Sequence, residues 1–177
     1  MNKKLKLEEL NRISIDEFKV ASKLPVVIVL NNIRSLQNIG SVFRTADAFR
    51  CKEIWLQGIT AKPPHRDIQK SALGATNSVT WRYLKTESEV FELAEKENID
   101  LVAIEQTQNS TNLLDFSPES GKSYGLIFGN EVEGVSNEFI QKKIPCLEIP
   151  QHGTKHSLNI TISAGIVIWE FYKKMGI

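Results

Sequence analysis

Three short stretches of this chain gather side-chain types that bind and orient a reactant. Residues 31–44, NNIRSLQNIGSVFR, bring Asn38, Gly40 and Arg44 close together. Arginine offers a planar fork of N–H donors that matches a phosphate or carboxylate. Asparagine can cap a helix, and glycine lets another segment or a ligand approach closely. Residues 129–134, GNEVEG, set two glycines around two carboxylates in a turn. Residues 149–159, IPQHGTKHSLN, are a polar loop that runs into a continuous apolar stretch, with Ser157 and Asn159 at the join. Taken singly, each has a plain structural reading: Arg44 as a surface residue of an amphipathic helix, GNEVEG as a positive-φ turn, Ser157 as a helix cap.

Several chemistries are excluded on spacing. His152 and His156 stand four apart, but no third Cys, His or carboxylate follows at a ligand spacing, so no metal is expected. GTKHS lacks the glycine spacing of a phosphate-binding loop, and no G-x-G-x-x-G follows the first strand, which argues against a Rossmann dinucleotide or methyl-donor site. Cys51 and Cys146 are too few and too far apart for a disulfide framework or a metal knuckle, and both are expected to pack as small buried hydrophobes.

The chain has 177 residues, 41% hydrophobic and 24% charged, which suits one globular domain with a sizeable core. Its net charge is +1, so affinity for nucleic acid must come from a local patch. One candidate patch is residues 62–85, with Lys62, Arg66, Lys70, Arg82 and Lys85 against Asp67 alone; three lysines in the first six residues add another. The start of the chain has no apolar signal core, and no apolar run reaches the roughly 18 residues of a membrane span, so a cytoplasmic protein is expected, without a membrane partner. Asn109 and Asn159 head N-x-S/T triplets that are then not glycosylation sites.

The elements that must position these residues follow from periodicity. Residues 1–24 read as a short helical arm, in the pieces LKLEELNR and SIDEFKVASK, with Ser14 and Glu17 in a capping-box pattern. Residues 25–177 read as one domain in which strands and helices alternate. PVVIVL is the first buried strand, followed by a helix from about Ser41 to Arg50. Then come strand EIWLQG, helix DIQKSALGA, strand SVTWRYL, helix ESEVFELAEKEN, strands DLVAIEQ and YGLIFG, short helix SNEFIQKK, strand CLEIP and a long final helix. This order predicts an α/β fold, a mostly parallel sheet flanked by helices. Ligands of such sheets bind beyond the carboxyl ends of the strands. All three polar stretches follow strands, so their separate plain readings fail together, and one ligand site of a non-Rossmann α/β enzyme is expected.

At these loops the sequence resembles the SpoU (TrmH) family of S-adenosylmethionine-dependent RNA ribose 2′-O-methyltransferases, in the SPOUT superfamily. NIGSVFRTADAF resembles the first family motif, LIFGNEVEGVS the second, and EIPQHGTKHSLNITISAGIVIWE the third. With PPHRDIQKSALGA, the similarity covers roughly residues 25 to 173. Gln151 stands where the family often has methionine. The EQT and IPQ forms are nearest to the branch that methylates transfer RNA, with ribosomal RNA as the alternative substrate.

The resemblance implies a deep C-terminal trefoil knot, a rare exception to ordinary chain connection rules. It implies that Glu105, Phe128, Gly129, Asn130, Ile149, Leu158 and Asn159 hold S-adenosylmethionine, chiefly through the main chain. It assigns catalytic roles to Asn38, Arg44, Glu131, Ser157 and Asn159. Arg44 is often written as the general base; because arginine keeps its proton to above about pH 12, it can equally clamp the adjacent phosphate and place the ribose oxygen. Lys62, Arg66 and Lys70 are the candidate RNA contacts. A rival reading from another class is a non-catalytic RNA-binding or ribosome-assembly factor that keeps the fold without turnover. Finally, apolar residues cover nearly every face from Leu158 to Tyr172, which predicts a homodimer built on the last helix, with Arg44 serving its own or the partner's site.

Overall fold

The computed structural model describes residues 2–176. Seven strands, β1 (Leu24–Asn31), β2 (Cys51–Gln57), β3 (Trp81–Leu84), β4 (Ile99–Ile104), β5 (Thr111–Asn112), β6 (Ser123–Phe128) and β7 (Cys146–Glu148), form one sheet in the order β3-β2-β1-β6-β4-β7-β5. Every pairing is parallel. The helices are α1 (Ile15–Val20), α2 (Leu36–Ala48), α3 (Arg66–Ala72), α4 (Ala75–Ser78), α5 (Glu87–Lys96), α6 (Asn137–Gln141) and α7 (Ile160–Met175).

Helices cover both faces, which is why the central strands read as unbroken apolar runs rather than alternating ones. In β1, Val26, Ile28 and Leu30 pack into the core shared with α2, α3 and α7. Val27 and Val29 turn to the opposite core, with Val90 of α5 and Phe139 of α6. All five are fully buried, and each contributes roughly 1.5–3 kcal/mol by leaving water.

The ends of elements depart from the periodicity at definable places. Helix α2 begins at Leu36 rather than Ser41, because the Ser35 hydroxyl caps it by accepting the Asn38 N–H at 3.2 Å. Asn38 is therefore not a cap, and its side chain is left for other work. Helix α3 stops at Ala72, where Leu73 and Gly74 adopt positive φ (49° and 92°), and the single turn α4 delays β3 until Trp81. The arm forms only a 3-10 turn at Leu7–Leu10 before α1. At α1 the capping box is present: Ser14 N–H donates to Glu17 Oε2 at 2.7 Å and Glu17 N–H to Ser14 Oγ at 3.2 Å. Gly40 is where α3 crosses α2, since a Cβ there would lie 2.1 Å from Ser71 Oγ and 2.3 Å from Ile68 O.

The periodicity predicts no strand at β5, since two residues are too short to show a period. It pairs with β7, and β7 also pairs with β4, so the connection 105–110 straddles β7. Cys51 is buried, whereas Cys146, expected to be buried, is half-exposed with its thiol donating to Ile144 O at 3.7 Å. No helix of the described residues is long and apolar enough to cross a membrane.

Candidate active site

Because the sheet is parallel, the loops 32–35, 58–65, 105–110, 129–136 and 149–159 all leave from one edge. Between those after β4, β6 and β7 lies a cavity of about 680 Å³, within the range of small-molecule sites. Glu105, Phe128, Gly129, Asn130, Glu131, Ile149, Ser157, Leu158 and Asn159 all line it. The sequence thus named nine residues that the fold brings to one cavity. Glu133, the second carboxylate of GNEVEG, lines it too, as do Gln106, Thr107 and Glu148, which were not named as site residues; ordinary polar residues at strand ends carry no signal of their own.

The turn 129–134 is built by its own hydrogen bonds. Asn130 and Gly134 exchange two main-chain bonds of 2.9 Å, and Asn130 Oδ1 accepts from Val132 N–H at 2.8 Å and Glu133 N–H at 3.2 Å. Gly129 is required by this turn: a Cβ would lie 2.1 Å from Gly134 C and Val135 N. Its bareness thus serves the turn's own closure. On one side Glu105 Oε2 accepts Val135 N–H at 2.9 Å. On the other, Ser136 N–H donates to Asn31 Oδ1 at 2.8 Å, and Asn130 Nδ2 donates to Asn32 O at 2.9 Å. The turn is clamped between β4 and β1.

Asn38 Nδ2 donates to Glu131 Oε1 at 2.9 Å, joining the first turn of α2 to the cavity loop. Asn159 is the N-cap of α7, its Oδ1 accepting Thr161 N–H at 2.8 Å and Thr161 Oγ1–H at 2.6 Å. Ser157 is therefore not the cap; it is exposed and lines the cavity. Arg44 lies outside the lining, on the solvent stripe of α2 with Gln37 and Ala48. No ion pair among the described residues involves it.

The basic stretch is smaller than its composition. Arg82 pairs with Glu53 through its Nη2 and with Glu97 at 2.6 Å, and these carboxylates push its ionisation above the usual arginine range. Lys70 pairs with Asp67 at 2.8 Å, and Lys62 Nζ sits 4.3 Å from the Tyr83 ring centroid. Lys62, Arg66 and Lys70 lie beyond β2, away from the cavity lining. Burial pushes the Cys51 thiol up to about 12, which rules it out as a nucleophile. Among the described residues no cluster of His, Cys, Asp or Glu has the arrangement of a metal site.

A model of the SpoU rRNA Methylase family matches residues 25–169. The mouse tRNA (guanosine(18)-2′-O)-methyltransferase TARBP1 is 28% identical over 152 residues, which are 84% of this chain and 9% of that protein. A Staphylococcus epidermidis protein named for the TrmH family of tRNA/rRNA methyltransferases is 27% identical over 166 residues, 91% of this chain and 65% of its own length. The chain thus spans less than two thirds of these curated relatives. The AdoMet-bound rRNA methyltransferase from Sinorhizobium meliloti superposes with a TM-score of 0.76 at 26% identity, over 86% of this chain and 60% of that one. The A. aeolicus TrmH/SpoU tRNA modifying enzyme matches with a TM-score of 0.79 at 20% identity, over 90% of this chain and 80% of its own, a likeness of fold.

Proposed function

Because the chain belongs to the SpoU rRNA Methylase family, we propose that it is an S-adenosylmethionine-dependent RNA methyltransferase acting on a ribose 2′-hydroxyl, with transfer RNA as its substrate. The observation that carries this is the charge of the cavity. Glu105, Glu131, Glu133 and Glu148 line it, and no lysine or arginine does. Unbalanced carboxylates favour a cationic ligand and repel phosphate. S-adenosylmethionine bears a sulfonium and an ammonium against one carboxylate, so the donor set fits it and disfavours a nucleoside triphosphate. The AdoMet-bound Sinorhizobium meliloti neighbour adds support.

When bound, the cofactor supplies an activated methyl group, which leaves positioning as the main task of the protein. In this reading the main chain at Phe128, Gly129, Asn130, Ile149 and Leu158 holds the adenosine and methionine parts, with Glu105 and Asn159 fixing the loops. Glu131 holds Asn38, and Ser157 orients the incoming ribose. Arg44 grips the phosphate next to the target and sets the 2′-oxygen in line. Lys62, Arg66 and Lys70 take RNA phosphates further along. The passage of connection 105–110 across β7 supports a trefoil knot in this reading, with the chain after β7 passing through the loop that leaves β4.

The homodimer belongs to the same proposal. Ile162, Ile166 and Trp169 are 54%, 39% and 49% exposed and recur at helical spacing along one stripe of α7, and Leu158, just before its N-cap, is 38% exposed. Such a stripe is what a symmetric partner covers. It runs beside α2, where Phe49 packs on Trp169 and Tyr172 at 5.9 and 5.4 Å between ring centroids. A partner on this face comes close to the Arg44 side of α2, so Arg44 completes the partner's site. Calorimetric titration tests the ligand: S-adenosylmethionine binds with micromolar affinity and ATP does not. Equal binding of both, or of neither, would overturn the assignment.

A further inference from the structure

We propose that Asn32 is a positioning residue for methyl transfer, joining the loop that leads to the RNA-facing cations to the loop that lines the cavity. The inference rests on the RNA methyltransferase reading above. Asn32 stands at the carboxyl end of β1 with φ +57°, a conformation asparagine tolerates better than most residues. Its side chain is used twice: Oδ1 accepts Ile59 N–H at 3.1 Å, and Nδ2 donates to Ser136 Oγ at 3.2 Å. Its main chain is used twice more, donating to Gln57 O at 3.2 Å and accepting from Asn130 Nδ2 at 2.9 Å. Gly58 is bare beside it, where a Cβ would lie 2.0 Å from Asn32 Oδ1.

One residue therefore grips segment 57–59 with one hand and Asn130 and Ser136 with the other. Segment 57–59 runs on to Lys62 and Arg66, and Tyr83, under Lys62, donates its hydroxyl to Gly58 O at 2.9 Å. Asn130 adjoins Glu131, which holds Asn38. Beneath lies a buried amide pair, Asn31 and Gln57, 0% and 1% exposed, with Asn31 Nδ2 also donating to Ser136 Oγ at 2.9 Å. That floor links Gln57 to Ser136 through Asn31, and the Asn32 side chain adds the link from Ile59, so a displacement of Ile59 reaches the cavity loop through Asn32. RNA drawn onto Lys62 and Arg66 then aligns Glu131 and Asn38, and RNA and cofactor bind with positive coupling.

The test uses Asn32→Gly, which keeps the positive φ and both main-chain bonds and removes only the side-chain link. Methyl transfer from tritiated S-adenosylmethionine is measured on bulk tRNA and rRNA from cells lacking the gene. Affinity for S-adenosylhomocysteine is measured with and without the RNA that the native protein methylates. The expected result is a kcat lower by about tenfold or more, since a misplacement of about 1 Å can cost about 100-fold. Affinity for S-adenosylhomocysteine without RNA stays within about twofold of native, while its tightening by RNA, present in the native protein, is lost. Ser136→Ala, which removes the Asn31 bond as well, loses at least as much, and the double variant loses no more than Ser136→Ala. A kcat within about twofold of native, additive losses, or a cofactor affinity without RNA that falls in step with kcat would overturn the inference. A native protein inactive on both RNA pools would instead overturn the reading beneath it.

Discussion

Arg44 is the residue on which the proposed chemistry turns, and its surroundings say what removing it should do. It is exposed, outside the cavity lining and in no ion pair among the described residues. Arg44→Ala should therefore lower methyl transfer by about 100-fold or more, as loss of a charged donor aimed at reacting groups does. Cofactor affinity, read by titration, should stay near native. Equal loss of both would place Arg44 at the cofactor instead. Residue types were readable in the sequence, and their partners were not. Asn38 and Glu131 each stood out, but the hydrogen bond between them joins positions 93 apart, and nothing in a single sequence pairs distant loops. Asn32 carries no signal of its own, because an asparagine after a strand is also what an ordinary turn uses.

Among the elements, the edge formed by β2, β3 and the end of α5 is tied by charge. Arg82 of β3 bridges Glu53 of β2 and Glu97 at the C-cap of α5, and Lys52 lies 3.5 Å from Glu97. Hydrogen bonding from Arg82 is the largest cause that lowers the Glu97 carboxyl below its ordinary range. A lowered folded-state value stabilises the protein above the unfolded-state value and is lost as pH falls through the folded one. Glu97→Gln should thus melt below the native protein at pH 7, and the gap should close as the pH drops below about 4, the ordinary glutamate range. Thermal unfolding followed across pH 3 to 7 checks this, and a gap that stays constant would show that Glu97 acts through packing. Strand and helix alternation was legible because buried parallel strands and amphipathic helices have distinct periods. Element ends were less so: the α2 start was misplaced because Ser35 rather than Asn38 caps it, and β5 is too short to have a period.

For the molecule as a whole, the α7 stripe Ile162, Ile166 and Trp169 predicts association. The native protein should sediment as a dimer at micromolar concentration. Ile166→Asp, which buries an unpaired charge in that face, should sediment as a monomer. A native protein that is monomeric and active would refute the shared-site arrangement. The central claim concerns where the methyl group goes. Bulk tRNA from cells lacking the gene is incubated with the protein and labelled S-adenosylmethionine, digested to nucleosides and separated by mass. The account predicts label on a ribose 2′-O-methyl nucleoside, and none when RNA with a 2′-deoxy residue at the mapped position is used. Label on a base, or label that survives the deoxy substitution, would contradict it.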